Sequence, residues 1–166
     1  MLYTTVDSPI GELLLSGDGH ALHGLWMLDG PAAAVTRPGW QRAGGPFEAA
    51  RAQLAEYFAG RRRAFDLPLA MAGTPFQQRV WRALLDIPYG ATTTYGELAR
   101  RVRPDGGWQA ARAVGAANGR NPIALVVPCH RVVGADGSLT GYGGGLERKR
   151  FLLDLEAATL ARRAAG

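Results

Sequence analysis

Asn121-Pro122-Ile123-Ala124-Leu125-Val126-Val127-Pro128-Cys129-His130-Arg131-Val132-Val133 is an apolar run closed by a proline and followed at once by a thiol, an imidazole and a guanidinium. The run predicts a buried strand over Ile123–Val127, and Pro128 ends it at the kind of strand exit where α/β sites form. Cys129 is the one cysteine among 166 residues, so the chain holds no internal disulfide framework. A lone cysteine is most often a small buried hydrophobe. Here its neighbours are polar and basic, and cations or peptide dipoles favour a thiolate, which makes Cys129 the candidate nucleophile. In an extended chain His130 would point away from it. Either the chain bends at Pro128 or a water bridges thiol and imidazole.

Downstream, Val132-Val133 leads into a glycine-rich loop ending at Gly145, and a last helix is expected over about Leu146–Ala161, with Leu152 and Leu155 inward and Glu156 near its middle. Upstream, Thr74-Pro75-Phe76-Gln77 offers an N-cap hydroxyl, proline at the first helical position and glutamine to close a capping box. Phe76, Val80, Trp81, Leu84 and Leu85 form its apolar stripe. Thr94-Tyr95-Gly96-Glu97 reads as a second capping box opening a helix to about Val102, and a third helix is expected from Gln109 to Asn118 after the turn Pro104-Asp105-Gly106-Gly107. Two short helices across a glycine turn outline a helix-turn-helix, although plain helix packing has the same outline.

The first seventy residues read differently. Leu2–Val6, Glu12–Leu15 and Ala21–Leu28 are strand-like and separated by turn residues, 29–45 reads as loop, Phe47–Phe58 has helical spacing, and Ala64–Leu69 reads as a further strand. Met71-Ala72-Gly73 is the natural linker, giving domains at 1–73 and 74–166. Charge changes at the same place: residues 1–74 sum to −1 and residues 75–166 to +6, for a total of +5. The basic second half suits a polyanion, nucleic acid before membrane surface, although eighteen arginines to one lysine can also reflect genome bias. No apolar run is long enough to span a membrane, and the amino terminus lacks the pattern of a signal peptide. With a lone thiol, this points to the cytoplasm. One cysteine and three scattered histidines argue against a structural zinc site.

The stretch around Cys129 resembles the signature of the O6-alkylguanine-DNA alkyltransferases. So, in order and approximate spacing, do Phe76-Gln77-Gln78-Arg79-Val80-Trp81, Ile87-Pro88-Tyr89-Gly90, Thr94-Tyr95-Gly96, Ala111-Arg112-Ala113-Val114-Gly115, Gly141-Tyr142-Gly143-Gly144-Gly145 and Leu152-Leu153 through Glu156. The resemblance implies an α/β (α+β) protein, with a small ribonuclease-H-like sheet domain followed by an α-rich, winged-helix-like domain. It implies direct, irreversible, cofactor-free and metal-free transfer of an alkyl group from O6 of guanine, and likewise from O4 of thymine, to Cys129. His130 would take the thiol proton through a water and Glu156 would orient His130. Tyr95 would serve the departing base, and Asn121 would tie the active-site loop to the helix-turn-helix. Tyr142, Gly143, Gly144 and Val132 would wall the alkyl-guanine pocket.

O6 of a paired guanine lies inside the stack, so the nucleotide must be flipped out. The resemblance makes Arg112 the residue that fills the gap, on a helix whose small residues Ala110, Ala111, Ala113 and Gly115, with Tyr95 nearby, approach the minor groove of double-stranded DNA. It implies a monomer and leaves cooperative assembly on DNA open. Three departures stand out. The turn Arg103–Trp108 is longer than the shortest family versions, Gly143 stands where some members have serine, and the zinc ligands of some first domains are missing. The rivals are a silent lesion binder, which the presence of Cys129 opposes; a helix-turn-helix regulator, which leaves Cys129 and Glu156 unexplained; and a cysteine hydrolase, which the adjacency of His130 disfavours.

Overall fold

The turn at Ser8–Gly11 sets up the first half of the chain. In the computed structural model, which describes residues 1–165, Gly11 has φ 101° and its N–H donates to the Ser8 carbonyl at 3.1 Å. This left-handed turn folds β1 (Leu2–Val6) antiparallel onto β2 (Leu13–Gly17), with Val6 opposite Leu13. β3 (Leu22–Met27) pairs antiparallel with β2, and the short β4 (Gln41–Arg42) pairs parallel with β1, giving the order β3-β2-β1-β4. In the inner strand β2, Leu13, Leu14 and Leu15 are all fully buried. Both faces of that strand are covered, which is why Leu13-Leu14-Leu15 runs continuously apolar rather than alternating. Helix α1 (Glu48–Phe58) adds Ala50, Leu54 and Tyr57 to the buried set.

The strand expected over Ala64–Leu69 does not form. Only Leu69 makes a bridge, parallel to Leu22. Pro68 has no N–H to give to a ladder, and the Asp66 backbone is satisfied by a side chain instead. Gln53 accepts from the Asp66 N–H at 2.8 Å and donates to the Asp66 carbonyl at 2.9 Å.

The chain divides into one unit of Met1–Ala72 with Pro122–Ala124, and a second of Gly73–Asn121 and the residues from Leu125 onward. In the first, the Leu25 N–H donates to the Pro122 carbonyl at 2.9 Å and Leu25 bridges Ile123. The strand expected over Ile123–Val127 is therefore reduced to isolated bridges. Leu125 takes φ 72°, the one positive value at a non-glycine residue among those described, so the chain turns inside the apolar run. Those side chains are apolar because they are buried, not because they are pleated.

In the second unit, α2 (Pro75–Leu85) opens with the expected capping box. Thr74 Oγ1 accepts from the Gln77 N–H at 3.1 Å, and Gln77 Oε1 accepts from the Thr74 N–H at 3.0 Å. Val80, Trp81 and Leu84 are buried, whereas Leu85, expected in the same stripe, is exposed at the helix end. The indole N–H of Trp81 donates to the Ala117 carbonyl at 2.8 Å, joining α2 to α4 (Gly107–Gly119). Between them, α3 (Tyr95–Val102) is capped by Thr94 Oγ1, which accepts from the Glu97 N–H at 3.1 Å. The Glu97 carboxylate accepts from the Thr93 hydroxyl at 2.9 Å, so no second capping box closes. Short parallel strands β5 (Thr93–Thr94) and β6 (Val132–Val133) and the long α5 (Leu146–Ala165) complete the unit. Among the described residues, no helix is long and apolar enough to cross a membrane.

The Thr74 box satisfies two backbone N–H donors at the entry to α2. Thr74→Ala is expected to lower unfolding free energy by about 0.5–2 kcal/mol in a urea titration. An unchanged midpoint would show that this cap contributes nothing.

Candidate active site

After Pro128 the chain makes one tight turn, Cys129–Arg131, in which the Cys129 N–H donates to Val127 at 2.8 Å and the Arg131 N–H to Pro128 at 3.0 Å. Of the two arrangements open to adjacent Cys and His, the backbone thus supplies the bend. Successive side chains of such a turn are about a third of a revolution apart rather than on opposite faces.

α5 brings Glu156 against this turn. His130 and Glu156 are both fully buried, and His130 Nε2 lies 2.7 Å from Glu156 Oε2. Arg131 approaches the same carboxylate with two donors, Nε to Oε1 at 2.9 Å and Nη2 to Oε2 at 3.0 Å, and its Nη1 donates to the Ile87 carbonyl at 2.8 Å. The Gly90 N–H adds a bond to Oε1 at 3.1 Å. Gly90 has φ 79°, and a Cβ there would lie 2.1 Å from Leu160 Cδ1, so glycine is what allows this backbone to reach α5.

The protonation states follow from this packing. Burial opposes a charge on Glu156, but hydrogen bonds from His130 and Arg131, together with the positive charge of Arg131, outweigh it and hold the carboxyl at about 2. Burial pushes His130 below its ordinary 6.5 despite Glu156. At neutral pH the ring is therefore neutral. The geometry places its proton on Nε2, donating to the carboxylate, and leaves Nδ1 with the lone pair. Nδ1 is buried and has no hydrogen-bond partner among the described residues.

Cys129 is 5% exposed. Burial raises its thiol above the ordinary 9.0, opposed by the side chains of Asn121 and Tyr142, the Leu125 backbone and the charge of Lys149. The resting sulfur is a thiol. Burial, with Cys129 beside it, likewise lifts the Tyr142 phenol well above 10.0. Lys149 is fully buried, donating to Val132 O at 2.6 Å and Thr140 O at 3.0 Å, with its Nζ 5.9 Å from the centre of the Tyr142 ring. The Tyr95 hydroxyl, at the start of α3, donates to the Thr140 carbonyl at 3.1 Å. Asn121 Nδ2 donates to Val127 O at 2.8 Å, whereas the bond from α4 to Cys129 itself comes from Asn118, whose Nδ2 lies 3.4 Å from the Cys129 carbonyl. Val132 is buried, pairing with Thr93 in the two-strand ladder. Gly143 and Gly144 lie in the loop before α5, where Arg148 Nη1 donates to Gly144 O at 3.1 Å.

On α4, Arg112 is exposed and Ala111, Ala113 and Gly115 are half-buried. Ala110 corrects the sequence expectation. It is fully buried with Val114, Ala117 and Asn118, so its small side chain serves helix packing rather than standing on the exposed face with Arg112. Sequence reading missed Asn118, Lys149 and the grip of Arg131 on Glu156. A signal existed for Lys149: it is the sole lysine beside eighteen arginines, and it sits buried on two carbonyls.

Residues 75–158 match the 6-O-methylguanine DNA methyltransferase DNA-binding domain and residues 1–71 its ribonuclease-like domain. The chain is similar to a methylated-DNA--protein-cysteine methyltransferase of Mycobacterium tuberculosis, 56% identical over 93% of this chain and 91% of the relative. It is 49% identical to one of Methanosarcina acetivorans over 95% and 99%. A crystal structure of Mycobacterium tuberculosis OGT in complex with DNA superposes with a TM-score of 0.88 at 54% identity, covering 96% of this chain and 94% of that one.

Removing the carboxylate leaves a guanidinium buried without its counter-charge. Glu156→Ala is expected to cost about 3–5 kcal/mol in chemical denaturation, as broken buried ion pairs do. A loss below about 1 kcal/mol, the range of exposed pairs, would contradict the burial argument.

Proposed function

The chain belongs to the 6-O-methylguanine DNA methyltransferase family, and from that premise we propose that it repairs DNA by moving an alkyl group from O6 of guanine to the sulfur of Cys129. The observation that carries the residue assignment is the buried 2.7 Å contact between His130 and Glu156 on the residue next to the only thiol. Cys129 Sγ attacks the alkyl carbon. The S–C bond forms as the C–O6 bond breaks, and its electron pair leaves on the guanine. The thiol proton passes through a bridging water to Nδ1 of His130, whose Nε2–H is fixed on Glu156. Tyr95 supplies the departing base with a hydrogen bond or a proton. The proton on His130 then returns through the bridging water and solvent to Tyr95 or the base, so that in sum the alkyl group and a proton exchange places between base and thiol, with no cofactor in the balance.

A thiol held above its ordinary pKa needs a base, and a histidine held below its own is free to be one. The two shifts support this relay rather than a standing thiolate–imidazolium pair. O4-alkylthymine presents the same alkyl–oxygen bond and is included as substrate. Exposed Arg112 on a face otherwise lined by Ala111, Ala113 and Gly115 supports approach to the minor groove of duplex DNA, with Arg112 filling the gap left by a flipped nucleotide. Tyr142, Val132 and the Gly143-Gly144 loop wall the pocket, and Asn121 and Asn118 hold the turn that carries Cys129. The protein acts as a monomer in the cytoplasm, where reducing conditions preserve the lone thiol.

The thioether product is not hydrolysable, so each chain reacts once. Mass spectrometry after incubation with excess methylated duplex should show one added methyl group, on Cys129. Cys129→Ser should bind the same DNA and add none. Sustained turnover, or a methyl group elsewhere, would overturn the assignment.

The proton acceptor also sets the pH profile. Single-turnover rate should be flat near neutrality and fall as acid protonates His130, with the midpoint below 6.5 because burial depresses that group. Glu156, at about 2, stays ionised throughout that window. A midpoint above 6.5 would exclude neutral His130 as the base.

A further inference from the structure

Trp108 is 66% exposed, more than any other large apolar side chain. It sits in the first turn of α4, directly after the Gly106-Gly107 turn, and takes no part in the buried face of that helix. One helical turn later, at i+4, the Arg112 guanidinium carbon lies 5.2 Å from the centre of the indole, the geometry of a cation–π contact. Trp108 also lines a surface cleft of about 420 Å³ shared with Arg100, Arg103, Pro104 and Ala111, which Arg112 does not line. The indole therefore stands at the surface between the cleft beside the α3–α4 turn and the arginine.

From these contacts we propose that Trp108 is a positioning residue for Arg112. It is a flat shelf that keeps the guanidinium extended along α4 before DNA arrives. A free arginine on a helix surface samples many rotamers and loses that freedom when it enters a duplex. An indole four residues back narrows the choice beforehand, and preorganisation of this kind raises productive binding without any new contact. Arg103, which lines the same cleft, is itself stacked over Phe76 at 5.9 Å. The proposal builds on the role assigned to Arg112 above.

The test is a double-mutant cycle read on two substrates, O6-methylguanine in duplex DNA and the free alkylated base. Trp108→Ala should slow single-turnover repair of duplex by about two- to fivefold, the range of an exposed cation–π contact, and leave the free-base rate at the wild-type value. Trp108→Phe, which keeps an aromatic face, should recover most of the loss, and Trp108→Leu should not. The double variant with Arg112→Ala should be no slower on duplex than Arg112→Ala alone. Additive losses would show that Trp108 touches DNA by itself and would overturn the proposal, as would equal losses on both substrates in Trp108→Ala or no loss at all. If Arg112→Ala instead slows both substrates alike, the reading of Arg112 fails and the shelf fails with it.

Discussion

The carboxylate of Glu156, wholly out of water and still ionised, is the constraint around which the second unit is arranged. An isolated buried charge costs several kcal/mol, and only close, well-directed partners offset that. Those three partners come from two separate stretches of the chain: the Gly90 backbone after α2, and the consecutive ring of His130 and guanidinium of Arg131. Each demands something of its segment. Gly90 must lack a side chain, Arg131 must lie inside rather than in solvent, and the turn after Pro128 must be tight enough for consecutive residues to meet one acceptor. Removing that turn would leave the carboxylate unpaired, so the geometry that makes the charge tolerable also fixes the position of the nucleophile.

Arg131 and His130 share Glu156 but do different work. Arg131 anchors, since its third donor also holds the Ile87 carbonyl at 2.8 Å. Its charge, aligned on both oxygens, keeps the carboxylate ionised while His130 stays neutral, so His130 can gain a proton without the network losing its counter-charge. Cys129 rests protonated in apolar surroundings, with Lys149, Asn121 and Tyr142 opposing burial only in part. In the proposed single-turnover relay, a thiol that ionises only in step with proton transfer protects Cys129 from adventitious oxidation, which follows thiolate character and exposure.

Local chemistry was legible wherever it was self-contained. The Thr74 capping box, strands β1, β2 and β3 of the first unit and the helices ending near Phe58 and Val102 all rest on signals within a few residues. What could not be read depended on distant partners. Ile123–Val127 looked like a strand because apolar runs report burial, and burial is equally served by a turn at Leu125. Ala64–Leu69 looked like a strand because nothing nearby shows that Gln53 will satisfy Asp66. In the site, Cys129 and His130 announced themselves by type and adjacency. Glu156, by position alone, is one more acidic residue on an exposed-looking helix, and only the resemblance singled it out. Arg131 read as a cation helping the thiol, and its actual partner lies twenty-five residues away.

Helix α4 shows why small residues resisted a single reading. Ala110, Val114, Ala117 and Asn118 recur at helical spacing on the buried side, where the Trp81 indole and the Cys129 carbonyl are met. Ala111, Arg112 and Gly115 lie off that side, less buried or exposed. The helix therefore presents one face to the proposed duplex and hydrogen-bonds the backbone of the nucleophile from the other, through Asn118. A helix of thirteen residues is stiff over that distance. Displacing its outer face by contact with DNA cannot leave the Cys129 turn untouched unless the Asn118 bond breaks. In the proposed complex, engagement of the groove and placement of the sulfur are thus carried by one rigid element, which would give a direct physical route by which the fit of the duplex bears on the alignment of the reacting atoms.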